Sequence, residues 1–161
     1  AVTGGPFFLY MLRKKGKVGG LNISEFTDMS IEKALKSFKQ KESIGYIIQV
    51  VDHDGFGGDI ELIVGINLQK EITGVEILSI DETVGLGMNA KNEEFRNQYV
   101  GKKVDHFQVV KNGKQNEDEV DSLSGATITS KAMTNGINGA LDFYDLLKGR
   151  WKYEEVFKTF I

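Results

Sequence analysis

The chain has 161 residues, 40% hydrophobic and 27% charged, and its 20 Lys and Arg against 23 Asp and Glu give a net charge of −3. That balance supports one packed core, argues against global disorder, and leaves no basic surplus for a duplex phosphate backbone, so no nucleic-acid partner is expected. The lack of cysteine removes disulfides, thiolate metal sites and Cys nucleophiles while leaving the compartment open, and His53 and His106 are too few for a multi-histidine metal centre, so redox chemistry here needs an organic cofactor.

Near the N-terminus, the apolar run Phe7–Leu12 is followed by Arg13, Lys14, Lys15 and Lys17. It falls far short of the roughly 20 residues that cross a bilayer. Two readings stay open: an end that packs on the domain, or the stub of a membrane anchor. Ser24 to Asp28 reads as a turn. Ile31, Ala34, Leu35 and Phe38 then follow helical spacing and predict a helix from Ser30 to Lys39.

Three strand-like runs come next: Tyr46 to Val51, Ile60 to Leu68, and Ile72 to Ile80. The connection Asp54-Gly55-Phe56-Gly57-Gly58 is of hairpin type, and Gln69-Lys70 is a short link, so the three runs predict an antiparallel meander. Lys91 to Tyr99 reads as a helix, His106 to Val110 as a strand, and Gln115 to Asp121 as an acidic loop. A helix from Ser130 to Leu147 carries the stripe Met133, Ile137, Ala140, Leu141, Tyr144 and Leu147. Gly136 and Gly139 weaken that helix by ~1 kcal/mol each unless something packs closely there. Lys148 and Gly149 are expected to close it, and Trp151 to Ile161 to form a tail docked by Trp151, Val156, Phe157 and Phe160. The expected class is α+β, with an N-terminal segment at 1–42, one domain at 43–148 and a docking tail at 149–161.

Three segments invite functional readings. Asp52, Asp54, Asp59 and Glu61 suggest calcium, but an EF-hand loop started at Asp52 puts Phe56 and Ile63 where ligands are required. A solvated turn explains these carboxylates better. Gly85-Leu86-Gly87-Met88-Asn89-Ala90 mimics a dinucleotide fingerprint, yet a meander is not the alternating strand–helix pattern that fingerprint needs. A glycine loop against which a flat ring can lie is the better functional reading, and a plain strand-to-helix turn the alternative. Finally, Asp121 to Ser130 places the hydroxyls of Ser124, Thr127, Thr129 and Ser130 just before a helix, with small Gly125 and Ala126 between them. Free N–H groups at a helix start bind anions such as phosphate. Helix capping by the same hydroxyls is the other reading. No histidine or lysine stands beside the hydroxyls to support a serine-hydrolase site.

At these residues the chain resembles the family of FMN-binding domains. DSLSGAT, Asp121 to Thr127, is similar to the flavinylation motif D-x-x-S/T-G-A-T, and the following ITSKA is similar to the family's continuation. Gly55 to Ile66 (GFGGDIELIVGI) resembles the family's glycine turn and opening strand. Asp81-Glu82-Thr83-Val84-Gly85-Leu86-Gly87 resembles its E-T-P-G-L-G loop, with Val84 where proline is usual. The resemblance covers about Gly45 to Leu147. The family includes the G subunit of the Rnf ion-translocating electron-transport complex and the C subunit of the sodium-translocating NADH:quinone reductase, the former being the better match.

The resemblance implies a single α+β FMN-binding domain in which a flavin transferase joins the FMN phosphate to Thr127 as a phosphoester. It implies that Ser124, Gly125, Ala126, Thr129 and Ser130 surround the phosphate. Glu82, Thr83, Gly85, Leu86 and Gly87 would lie along the ring, with Met88 beside it, and Asp121 would serve recognition by the transferase. No metal is implied. The expected function is electron carriage within a membrane-bound complex coupling electron transfer to ion translocation. The expected partners are the other membrane subunits and the transferase, with the domain on the extracytoplasmic side of the cell membrane. The alternatives are a stand-alone membrane-anchored FMN carrier feeding a reductase, and a non-redox binding module whose SGAT loop caps a helix.

Overall fold

The computed structural model describes the backbone of residues 17–18, 21–22, 29–39 and 42–159, and the side-chain environment of residues 44–148. In chain order the elements are β1 (Lys17–Val18), β2 (Leu21–Asn22), β3 (Met29–Lys39), β4 (Glu42–Asp52), β5 (Ile60–Asn67) and β6 (Ile72–Ile80). A 3-10 turn (Gly87–Lys91), α1 (Glu93–Arg96), β7 (Gln108–Val110), β8 (Glu119–Asp121) and α2 (Thr127–Thr159) follow.

The main sheet has four antiparallel strands in the order β3-β4-β5-β6. Alternation decides its inner face: Tyr46, Ile48 and Val50 on β4, and Ile60, Leu62, Val64 and Ile66 on β5, are all buried. The expected meander is therefore present, in the class expected. Two irregularities interrupt the β5–β6 register, between Glu61 and Leu62 and between Gly65 and Ile66. They add Thr73 and Leu78 to β6 without partners opposite, which is the geometry of bulges.

Against this face lies α2, and its predicted stripe of Met133, Ile137, Ala140, Leu141, Tyr144 and Leu147 is at most 1% exposed throughout. Each large apolar side chain of the stripe contributes roughly 1.5–3 kcal/mol by leaving water. Gly136 has a local reason: a Cβ there would sit 3.2 Å from Leu62 Cδ2, so its absence lets helix and sheet approach. A second apolar group closes the core from the side. Phe95, Tyr99 and Phe107 stack edge to face, with centroids 5.9 and 5.1 Å apart. The Tyr99 hydroxyl lies 2.8 Å from Thr134 Oγ1 on α2. Burial pushes the Tyr99 hydroxyl pKa up, against the lowering effect of that hydrogen bond.

Several expectations need correction. Residues 30–39 are not a helix: β3 pairs with β4 from Met29↔Asp52 to Lys39↔Glu42. A helical apolar period yielded to an open strand edge whose N–H and C=O groups need partners. The helix expected over 91–99 is split, because Asn92 adopts extended angles (φ −68°, ψ 137°) between the 3-10 turn and α1. The acidic loop contains β8, which pairs in parallel with β7. Gly149 does not end the last helix, since the backbone of α2 runs on to Thr159 and absorbs most of the expected tail. The docking side chains expected for that tail, and the run Phe7–Leu12, lie outside the described residues. Among those residues no helix is long and apolar enough to cross a membrane.

Candidate functional site

Three backbone segments meet at one end of the sheet. The first is the β4–β5 hairpin, whose Asx turn is held by Asp54 N–H donating to Asp52 Oδ1 at 2.9 Å. Gly57 brings this hairpin against the next segment: a Cβ there would fall 2.0 Å from Asp81 O. The second is the turn after β6, in which Leu86 N–H and Met88 N–H both donate to Thr83 O at 3.1 Å. Its Gly85 has φ +79°, a conformation that favours glycine. The third is Leu123 to Thr127, which leads into α2.

Between them lies a cavity of about 360 Å³. Phe56 comes from the hairpin, Glu82, Thr83, Leu86 and Gly87 from the turn, and Gly125, Ala126, Thr127, Ile128 and Thr129 from the helix start. The volume falls in the small-molecule range of about 300–1,000 Å³. Phe56 and Ile128, 70% and 52% exposed, form an apolar rim, with Leu86 beside them.

The helix start leaves backbone donors that could hold an anion. Ser130 N–H donates to Ala126 O at 3.0 Å, so Ala126 is the cap residue and the N–H groups of Thr127, Ile128 and Thr129 precede the first helical bond. Alanine has no side-chain acceptor for them, and no acidic residue lies in the first turn. The capping reading of this hydroxyl cluster therefore loses its main support. Gly125, at φ +69°, turns the chain into the helix. Thr127 is half-buried, its hydroxyl beside the cavity and 3.4 Å from Ser122 Oγ.

The structure brings eight of the residues singled out by sequence to this cavity and places the others elsewhere. Ser130 is fully buried; its hydroxyl donates to Ala126 O and accepts from Leu123 N–H, both at 2.9 Å. It shapes the loop and does not face the cavity. Ser124 and Asp121 belong to a separate cleft of about 290 Å³ on the other side of the loop. Asp121 is already engaged: Oδ1 accepts from Lys114 N–H at 2.7 Å. Gly85 and Met88 shape the turn but do not line the cavity.

Sequence reasoning missed three participants. Phe56 and Ile128 reach the rim only because the hairpin and the helix start converge. Gln98 grips Asp121 by both backbone groups: Asp121 N–H donates to Gln98 Oε1 at 2.8 Å, and Gln98 Nε2 donates to Asp121 O at 3.2 Å. No short-range pattern marks an amide that acts 23 residues away.

An apolar-rimmed cavity beside an uncapped helix start can hold a small ligand that combines an apolar face with an anionic group. The family model described as an FMN-binding domain matches residues 55–142, more than half of the chain. The chain belongs to the FMN-binding domain family, and FMN is its cofactor class. It is 39% identical, over 65% of its length and 55% of the relative's, to the G subunit of the proton-translocating ferredoxin:NAD(+) oxidoreductase complex of Clostridium ljungdahlii. It is 34% identical, over 66% of its length and 52% of the relative's, to the G subunit of the Na(+)-translocating ferredoxin:NAD(+) oxidoreductase complex of Acetobacterium woodii. The chain thus spans about half the length of these curated relatives. Among solved structures, Shewanella oneidensis NqrC shares the fold with a TM-score of 0.63 at 21% identity, over 73% of this chain and 61% of that one. The C subunit of the Na(+)-translocating NADH-quinone reductase from Parabacteroides distasonis gives 0.57 at 25% identity, over 88% and 78%.

Proposed function

We propose that this chain is the electron-carrying part of a membrane-bound, ion-translocating oxidoreductase complex, holding FMN through a phosphoester on Thr127. The observation that carries the proposal is the position of Thr127: last residue of DSLSGAT, first residue of α2, and part of the cavity wall. Backbone N–H groups of residues 127–129 hold the phosphate oxygens, with the positive end of α2 behind them. Thr129, 1% exposed but part of the cavity lining, supports them. Phe56, Leu86 and Ile128 give the ring its apolar contact, and Thr83 and Gly87 form the wall beside it. Bound FMN supplies one- and two-electron chemistry, while the protein supplies tether, orientation and electrostatics.

Tethering through the phosphate keeps the ring free to change redox state and prevents loss of the cofactor on the extracytoplasmic side, where we place the domain. A flavin transferase installs the bond, and the remaining subunits of the complex are the partners that exchange electrons with it. The fit of the residues supports this: the cavity wall offers an unblocked hydroxyl, unsatisfied donors and an apolar rim in one place.

The test is intact mass. Co-expression with a flavin transferase adds one FMN less one water, in an acid-stable, fluorescent form, and Thr127→Ala removes the gain. A bare Thr127 in the presence of an active transferase overturns the assignment.

A further inference from the structure

Four large apolar side chains stand exposed around the mouth of the cavity: Phe56 at 70%, Val84 at 86%, Leu86 at 41% and Ile128 at 52%. Val84 sits at the tip of the turn closed by Leu86 N–H on Thr83 O. Thr83 and Leu86 line the cavity and Val84 does not, so a ligand inside meets Phe56, Leu86 and Ile128 and leaves Val84 in water. Single exposed apolar residues are ordinary on a surface, but several gathered at one opening mark an interaction site.

The charges around this rim have one sign. Asp54 and Asp59 on the hairpin and Asp81 at the start of the turn are exposed, and Gly57 packs the hairpin against Asp81. Asp59 pairs with His53 at 2.9 Å, whereas Asp54 and Asp81 enter no ion pair among the described residues. Neither 45–69, 71–90 nor 115–130 contains a Lys or Arg; Lys131, one turn into α2, is the first cation beyond the mouth.

We propose that this rim is a docking surface for a protein that carries an apolar patch bordered by Lys or Arg: the subunit that exchanges electrons with the cofactor. The proposal rests on the FMN reading above, which supplies the complex. Charge selects the occupant, because carboxylates around an apolar centre repel the anionic headgroups of a lipid surface and attract a cationic protein border. The apolar centre holds the partner, and the charged border sets its approach and orientation.

The experiment measures equilibrium binding of the full chain, fluorescently labelled, to the complex assembled from its remaining subunits. Val84→Ser is expected to weaken binding about fivefold through lost apolar burial. Asp54→Asn combined with Asp81→Asn is expected to weaken it about fivefold at about 50 mM NaCl and to match the parent near about 500 mM, where surface charges are screened. Asp105→Asn, which removes a fully exposed carboxylate at the other end of the molecule, binds as the parent does. Every replaced side chain is exposed, so all variants melt with the parent and lost binding reports the surface. Parent-like binding by both rim variants overturns the proposal. So does tighter binding of the parent to phosphatidylcholine vesicles once phosphatidylglycerol is added, which makes the rim a lipid contact. Slower flavin attachment without weaker subunit binding assigns the rim to the transferase and overturns it too. A parent chain that takes up flavin but does not bind the remaining subunits overturns the docking and leaves the cofactor reading standing; a parent chain that takes up none overturns that reading first.

Discussion

The sheet–helix half and the loop-built half of this protein are held together by different physics. In the first, β4 and β5 bury alternate apolar side chains against one stripe of α2, and no single contact is decisive. In the second, residues 81–127 contain little regular structure and depend on glycine contacts and directed hydrogen bonds. Two side-chain amides illustrate the fastening. Gln98 grips the backbone of Asp121, and Asn138 grips that of Phe107, accepting from its N–H at 2.7 Å and donating to its C=O at 2.9 Å. Asn138 joins the loop layer to α2, whereas Gln98 joins one loop to another just before the cavity wall. Apolar burial builds the platform, and a few polar clamps set the position of the site on it.

This contrast can be broken at three levels. The largest effect is expected in the platform. Leu62, 0% exposed, lies under Gly136, and Leu62→Ala should cost about 2–5 kcal/mol in urea unfolding. Because it acts through the whole core, it should lower the melting temperature without selectively slowing flavin attachment.

Gln98→Ala should cost less, about 1–3 kcal/mol, because it leaves the Asp121 N–H and C=O without their partner. Its signature is selective: slower attachment at Thr127, read by the time course of intact mass, while Asn138→Ala gives a similar stability loss with less effect on attachment. Equal slowing by both variants would remove the distinction between the two clamps.

The smallest effect concerns pH. Gln115 N–H, followed by Asn116, donates to the Glu119 carboxylate and holds it below the usual carboxylate range. A folded-state pKa below the unfolded one means a contribution present above about pH 4.5 and lost as pH falls through the folded value. Amide exchange at Gln115 and Asn116 should therefore lose protection on the acid side in the parent chain and show no such step in Glu119→Gln. The fully exposed Asp105, held low by Lys70, titrates in the same direction at the other end of the molecule.

The platform was readable from local pattern because its periods are short. Strand-like apolar runs bounded by turn residues marked β4, β5 and β6, and helical spacing marked the α2 stripe residue by residue. The DSLSGAT segment and the glycine loop were readable as motifs, which is why eight expected residues meet at the cavity. What failed was any feature set by a distant partner. The segment 30–39 has a helical period and becomes a strand, because β4 offers a free edge. Ser130 looked like a phosphate ligand and instead fixes its own loop. Gln98, Phe56 and Ile128 carry no local signature at all.

Sequence alone determined the class of fold and the core stripe, since these depend on side-chain chemistry at fixed short spacing, and the resemblance of DSLSGAT to the family's motif singled out Thr127 as the candidate tether. Only the tertiary structure decided which residues share the cavity. It also gathered Phe56, Val84 and Ile128 on one exposed rim, because burial and exposure arise when segments far apart in the chain exclude water together.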